Sequence, residues 1–76
     1  MQREDVKARH AEGVVFDAHV ICSPTNSREW IVFFKKGAGR SFFLVGDSEE
    51  VESFVHLDDL IDELKALGIK GAEIHF

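Results

Sequence analysis

Two histidines are the first candidates for chemistry in this chain, since imidazole nitrogens are common metal ligands. His19 and His75 take the outward parity of two segments that alternate apolar and polar residues, and these segments are predicted to be neighbouring strands. Asp17 or Glu73 could add an oxygen ligand. The chain lacks the dense His and Cys spacing of metal-binding motifs, and Cys22 has the opposite parity. We therefore predict no metal and no cofactor, and keep a small metal or ligand binder as the third functional alternative.

Nucleophilic catalysis has little support in the sequence. Serines fall in predicted turns, strand edges and loops, and none has a recognisable base as partner. The acidic residues of segment 58–63 are typical of the solvated face of a helix rather than of a paired-carboxylate site. A two-layer domain of this size rarely forms the water-excluding cleft that a reaction needs. The protein is therefore predicted not to be an enzyme.

A basic loop between two apolar segments could contact phosphates. The bases in and around it are Arg28, Lys35, Lys36 and Arg40. The loop is not a Walker motif, and it joins two predicted strands rather than preceding a helix. Aromatic residues interleave with the bases, as they do in proteins that stack single-stranded bases. The net charge of −5 opposes phosphate binding, so a nucleic-acid-binding module is the alternative function and not the leading one.

Composition indicates one small domain. The chain has 76 residues and a single cysteine, which excludes an intramolecular disulfide. Its charged first ten residues do not resemble a signal peptide, and no stretch approaches the roughly 18–20 apolar residues of a membrane span. Segment 47–63 holds eight acids and no base, whereas segment 28–46 is basic, so the surface is polarised. We expect a cytoplasmic protein without membrane contact.

Periodicity predicts two helices and four strands. Residues 2–11 are good helix formers with few apolar positions, so segment 1–12 is a weak helix that could be mobile. Leucines and an isoleucine at helical spacing predict the main helix over 57–67, with Gly68 at its C′ position. Alternating or continuous apolar runs predict strands over about 14–22, 28–35, 40–45 and 72–76. The chain is expected to form one two-layer α+β domain over residues 1–76.

The predicted sheet is mixed and four-stranded, made of a three-stranded meander plus the C-terminal strand. A right-handed crossover through the main helix puts strand four beside strand one, which gives the order 3-2-1-4. The core between sheet and helix is predicted to contain Phe16, Val20, Trp30, Val32, Phe34, Phe42, Leu44, Leu60, Ile61, Leu64 and Ile74.

Segments 29–34 and 40–45 carry apolar side chains at odd and even positions alike. A strand with one wet face alternates, so both faces of these strands are expected to be buried. The main helix covers one face, and a second copy of the chain is the expected cover for the other. The predicted interface residues are Ile31, Phe33, Phe43 and Val45. The alternatives are an unidentified protein partner or an internal cover by segment 1–12.

Segment 28–44 (REWIVFFKKGAGRSFFL), with segment 54–64 (FVHLDDLIDEL) and the following Gly68-Ile69, resembles a known group of small proteins. These are accessory proteins, some labelled partition- or stability-associated, of conjugative plasmids and genomic islands. The likeness spans about residues 13–76 and departs from the usual form at His56, which replaces a small capping residue. It carries over no catalytic or ligand residue. The resemblance implies a bacterial, non-enzymatic accessory or interaction protein in mobile-element maintenance.

Overall fold

A computed structural model describes residues 1–36 and 39–76. The elements are α1 (Arg3–Ala11), β1 (Asp17–Cys22), β2 (Trp30–Lys35), β3 (Ser41–Phe43), α2 (Leu57–Ala66) and β4 (Ala72–Ile74). This confirms the predicted α+β class and the predicted order of elements. The tight turn predicted for residues 36–39 includes Gly37 and Ala38, which lie outside the described residues.

The strands form one sheet in the order β3-β2-β1-β4, as predicted. The β1–β2 and β2–β3 pairs are antiparallel, while β4 returns parallel to β1 because α2 carries the chain back. Both edge strands have only three residues, fewer than the sequence predicted. Beyond β3, Val45 pairs with Val51 and its N–H donates to the Met1 carbonyl, so the chain leaves the regular ladder there.

The core lies between the sheet and the helices and contains most of the predicted residues. The buried ones among them are Phe16, Val20, Val32, Phe34, Leu44, Leu60 and Leu64. Four predicted core residues are not fully buried, because they sit at the margins of the two layers. Trp30 lies at the start of β2, Phe42 on the edge strand β3 and Ile61 on the flank of α2, and all three are half-buried. Ile74, on the edge strand β4, is exposed.

Helix α1 belongs to this core through a single side chain. Val6 is fully buried and packs in the same cluster as Leu60 and Leu64 of α2. Arg3 forms ion pairs with Glu52 and Glu63, which tie α1 to the loop before α2 and to α2 itself. The hydrogen bonds to these carboxylates, Glu52 first, raise the pKa of Arg3 above its ordinary value, so Arg3 stays charged throughout the accessible pH range. Both helices therefore cover the same face of the sheet.

Glycine ends both helices in the same way. At the end of α2, Gly68 has φ +88°, its N–H donates to the Lys65 carbonyl, and the Ile69 N–H donates to the Leu64 carbonyl. This pair of bonds is the Schellman motif and confirms the predicted role of Gly68. Gly13 ends α1 with the same φ and the same two bonds. Within the described parts of the chain, neither helix has the length and apolar character needed to span a membrane.

Candidate functional site

One side of the sheet has no helix packed on it among the described residues. Ala18, Val20, Val32 and Phe34 point into the helix-covered core. The alternate residues of β1 and β2 must therefore point the other way, onto a surface that we call the open face. It carries Asp17, His19, Ile21, Ile31, Phe33, Lys35, Ser41, Phe43, Glu73 and His75.

Four rings form a row across the open face: one each from β1, β2 and β3, and the ring of His75, which directly follows β4. The ring centroids of His75 and His19 are 5.4 Å apart, those of His19 and Phe33 5.1 Å, and those of Phe33 and Phe43 5.7 Å. Register places the rings side by side: His19 is opposite Phe33, and Phe33 is opposite Phe43. Because neighbouring strands are about 4.8 Å apart, each ring contacts the next. The row is a continuous aromatic surface.

The predicted interface residues divide into two groups in the structure. Phe33 is half-buried and Phe43 is 39% exposed, so these two side chains form an accessible aromatic pair. Ile31 lies on the same face but is only 4% exposed, so it is already covered within the chain. Val45 is half-buried and lies beyond the end of β3. The accessible apolar patch is therefore smaller than the four-residue patch expected from the sequence.

At the β4 end of the row, three potential ligand atoms converge. His19 Nδ1 lies 3.1 Å from His75 Nε2 and 3.3 Å from Glu73 Oε2, and Glu73 Oε2 lies 3.5 Å from His75 Nε2. The parallel register opposes His19 to Glu73, and His75 follows two residues later on the same face. Strand parity identified these residues in the sequence. Asp17, the other predicted oxygen donor, is instead opposite Lys35 on β2.

A groove borders this cluster. It has a volume of about 720 Å³ and runs between residues 13–19 and 68–73, where the two chain segments diverge before β1 and β4 pair. His19 and Glu73 are among the residues that line it. The sequence did not predict this groove, because it depends on how the turns after α1 and α2 separate. It provides a route for small molecules to one side of the cluster.

The bases of the predicted nucleic-acid surface lie at two separate places. Lys35, Lys36 and Arg40 surround the β2–β3 connection, and the Lys36 N–H donates to the Arg40 carbonyl. Arg28 lies in the turn before β2. At about 3.3 Å per residue, the length of β2 puts Arg28 roughly 20 Å from the other three. The structure therefore groups three of the four bases.

No family model, no curated protein and no solved structure matches this chain. The resemblance of segments 28–44 and 54–69 to plasmid and genomic-island accessory proteins stays a prediction. We therefore base the proposed function on the geometry of the open face.

Proposed function

We propose that this protein is a non-enzymatic interaction module that self-associates through the open face of its sheet. The observation that supports the proposal best is the Phe33–Phe43 pair, whose outer ring is 39% exposed on a face with no helix packed on it among the described residues. Solvated aromatic pairs of this kind are typical of interaction surfaces. The process that this association serves is proposed, on sequence resemblance alone, to be bacterial mobile-element maintenance.

Charge distribution favours a second copy as the occupant. The acidic helix α2 lies on the opposite side of the sheet, so two open faces can meet without bringing the acidic helices together. On the open face, Lys35 and Asp17 are register partners on neighbouring strands. Consider a twofold axis that lies between the two facing sheets, parallel to the strands and midway between β1 and β2. This axis places Lys35 of each copy over the partner's Asp17. The face is therefore self-complementary in charge.

The size of the face sets the expected affinity. The four strands hold 18 residues, and at about 3.3 Å along by 4.8 Å across for each residue the face measures roughly 290 Å² per copy. This is about a third of the roughly 800 Å² that each partner buries in a standard interface. Because Ile31 is already covered, it adds nothing to the contact. We therefore expect a weak dimer, with a dissociation constant in the micromolar range or above.

Sedimentation equilibrium over a range of protein concentrations tests this proposal. The native chain should show an average mass that rises with concentration toward twice the monomer mass. Phe43→Glu should remain monomeric, because a carboxylate buried in the contact has no partner charge. Ala8→Glu adds the same charge on the exposed side of α1, behind the sheet, and should associate like the native chain.

Circular dichroism would establish that both variants are folded, which we expect because Phe43 and Ala8 are exposed. The proposal is wrong if the native chain stays monomeric up to about 1 mM, where even a weak contact would form. It is also wrong if Phe43→Glu associates as strongly as the native chain does.

A further inference from the structure

We propose that His19, Glu73 and His75 form a binding site for a zinc ion on the β1–β4 edge of the open face. The ligand atoms are His19 Nδ1, Glu73 Oε2 and His75 Nε2. The site lies within one chain and uses β1, β4 and the residue that follows β4, whereas Phe43 lies on β3 at the other edge of the sheet. It therefore goes beyond the proposed self-association and does not depend on it.

The distances between the three atoms fit tetrahedral zinc. Zinc is bound by histidine nitrogens at about 2.0–2.1 Å and by carboxylate oxygens at about 2.0–2.2 Å, so two ligands of a tetrahedral ion are about 3.3 Å apart. The three separations here are 3.1, 3.3 and 3.5 Å. The atoms thus already occupy one triangular face of a tetrahedron of the required size.

Hydrogen bonding alone does not satisfy this arrangement. A proton on His19 Nδ1 can be donated to Glu73 or shared with His75, but the lone pairs of Glu73 Oε2 and His75 Nε2 then face each other. If both rings are protonated at these atoms, both N–H groups can donate to Glu73 Oε2, but the two nitrogens, 3.1 Å apart, then share no hydrogen bond. A single cation within reach of all three atoms interacts favourably with each of them, because each can donate an electron pair.

The ligands are held by the sheet before any ion binds. The His19 ring lies beside Phe33 on one side and meets the edge of His75 on the other, nearly parallel to both, with interplanar angles of 14° and 23°. Parallel pairing holds Glu73 opposite His19, and the backbone N–H of His75 donates to the Val20 carbonyl at 2.8 Å. Ligands on rigid elements lose little conformational entropy on binding, which favours affinity.

The donor set selects the metal. Two imidazole nitrogens and one carboxylate suit zinc, whereas magnesium and calcium prefer sites made of oxygen ligands. Three protein ligands leave the fourth zinc position for water or another small ligand. His19 and Glu73 also line the groove of about 720 Å³, so such a ligand can reach the site.

Isothermal titration of the full chain with zinc chloride in a non-chelating buffer tests the site. The native protein should bind one zinc ion, and magnesium chloride should give no saturable binding. His75→Ala removes one ligand atom and Glu73→Gln replaces the anionic carboxylate by a neutral amide, and each should weaken zinc binding by more than about 100-fold, beyond the effect of losing an outer-shell contact. Both side chains are largely exposed, at 51% and 72%, so neither change should unfold the domain. Trp30 fluorescence and circular dichroism check this.

The chain also offers matched controls. His10→Ala and His56→Ala remove the two histidines outside the cluster and should leave zinc affinity unchanged. The proposal is overturned if the native chain shows no saturable zinc binding, or if His75→Ala binds as tightly as it does. It is equally overturned if zinc binding depends on His10 or His56.

Discussion

Replacing Val6 by alanine tests how far helix α1 contributes to the stability of the domain. Val6 is fully buried between the sheet and α2, and the change removes two methyl-sized groups. Their lost burial costs about 1.6 kcal/mol, at about 0.8 kcal/mol each. The cavity left behind, roughly 40 Å³, adds about 1 kcal/mol. The higher helix propensity of alanine returns about 0.5 kcal/mol, so the free energy of unfolding should fall by about 2 kcal/mol.

The loss would be a large part of the total stability. A domain of this length is stable by about 4–11 kcal/mol. Urea unfolding followed by the fluorescence of Trp30, the single tryptophan, measures the change. With a slope of about 1 kcal/mol per molar urea, the midpoint should fall by about 2 M.

Val15→Ala is the matched control, because it removes the same two groups from a side chain that is 79% exposed. Its midpoint should stay within about 0.5 M of the native value. Coinciding midpoints for the two variants would refute the reasoning, because they would mean that α1 is not docked on the core in solution.

Two further predictions concern the N-terminus of α2 and the basic loop between β2 and β3. His56 is the N-cap of α2 with extended backbone (φ −111°, ψ 127°), but its ring makes no capping hydrogen bond. His56→Ser should therefore be more stable than His56→Ala by about 1 kcal/mol in urea unfolding, and equal stabilities would contradict this. For the loop, we expect no useful affinity of the native protein for DNA or RNA in a filter-binding assay at near-physiological salt. Sub-micromolar binding that is lost when Lys35, Lys36 and Arg40 are all replaced by glutamine would favour the nucleic-acid alternative.

Local patterns in the sequence were sufficient to predict the order of the helices and strands and many of the core residues. The leucines of α2 recur at helical spacing, and Gly68 ends the helix because a residue without Cβ adopts positive φ at little cost. Alternation along β1 and the continuous apolar run of β2 placed Val20 and Phe34 in the core correctly. The strand order followed from the handedness of a crossover connection, which is the same in almost all proteins.

Packing between distant segments was decided only by the tertiary structure. Nothing local shows that Val6 docks beside α2, because one apolar residue in a polar helix does not specify its partner. Ile31 has the parity of the open face, yet it is only 4% exposed, which strand periodicity does not predict. The short edge strands likewise depend on where Val45 turns to meet Val51.

The cluster of His19, Glu73 and His75 depends on both the sequence pattern and the tertiary structure. Parity along each strand determined that His19, Glu73 and His75 share one face, because side chains alternate with a period of two. Their separations of 3.1 to 3.5 Å depend on the register of β4 against β1. If β4 slipped by two residues against β1, each side chain would still point to the same face of the sheet. His19 would nevertheless shift by about 6.6 Å along the strands relative to Glu73 and His75. The sequence alone therefore determined which residues could meet, and the docking of α2 and β4 onto β1 decided that they do.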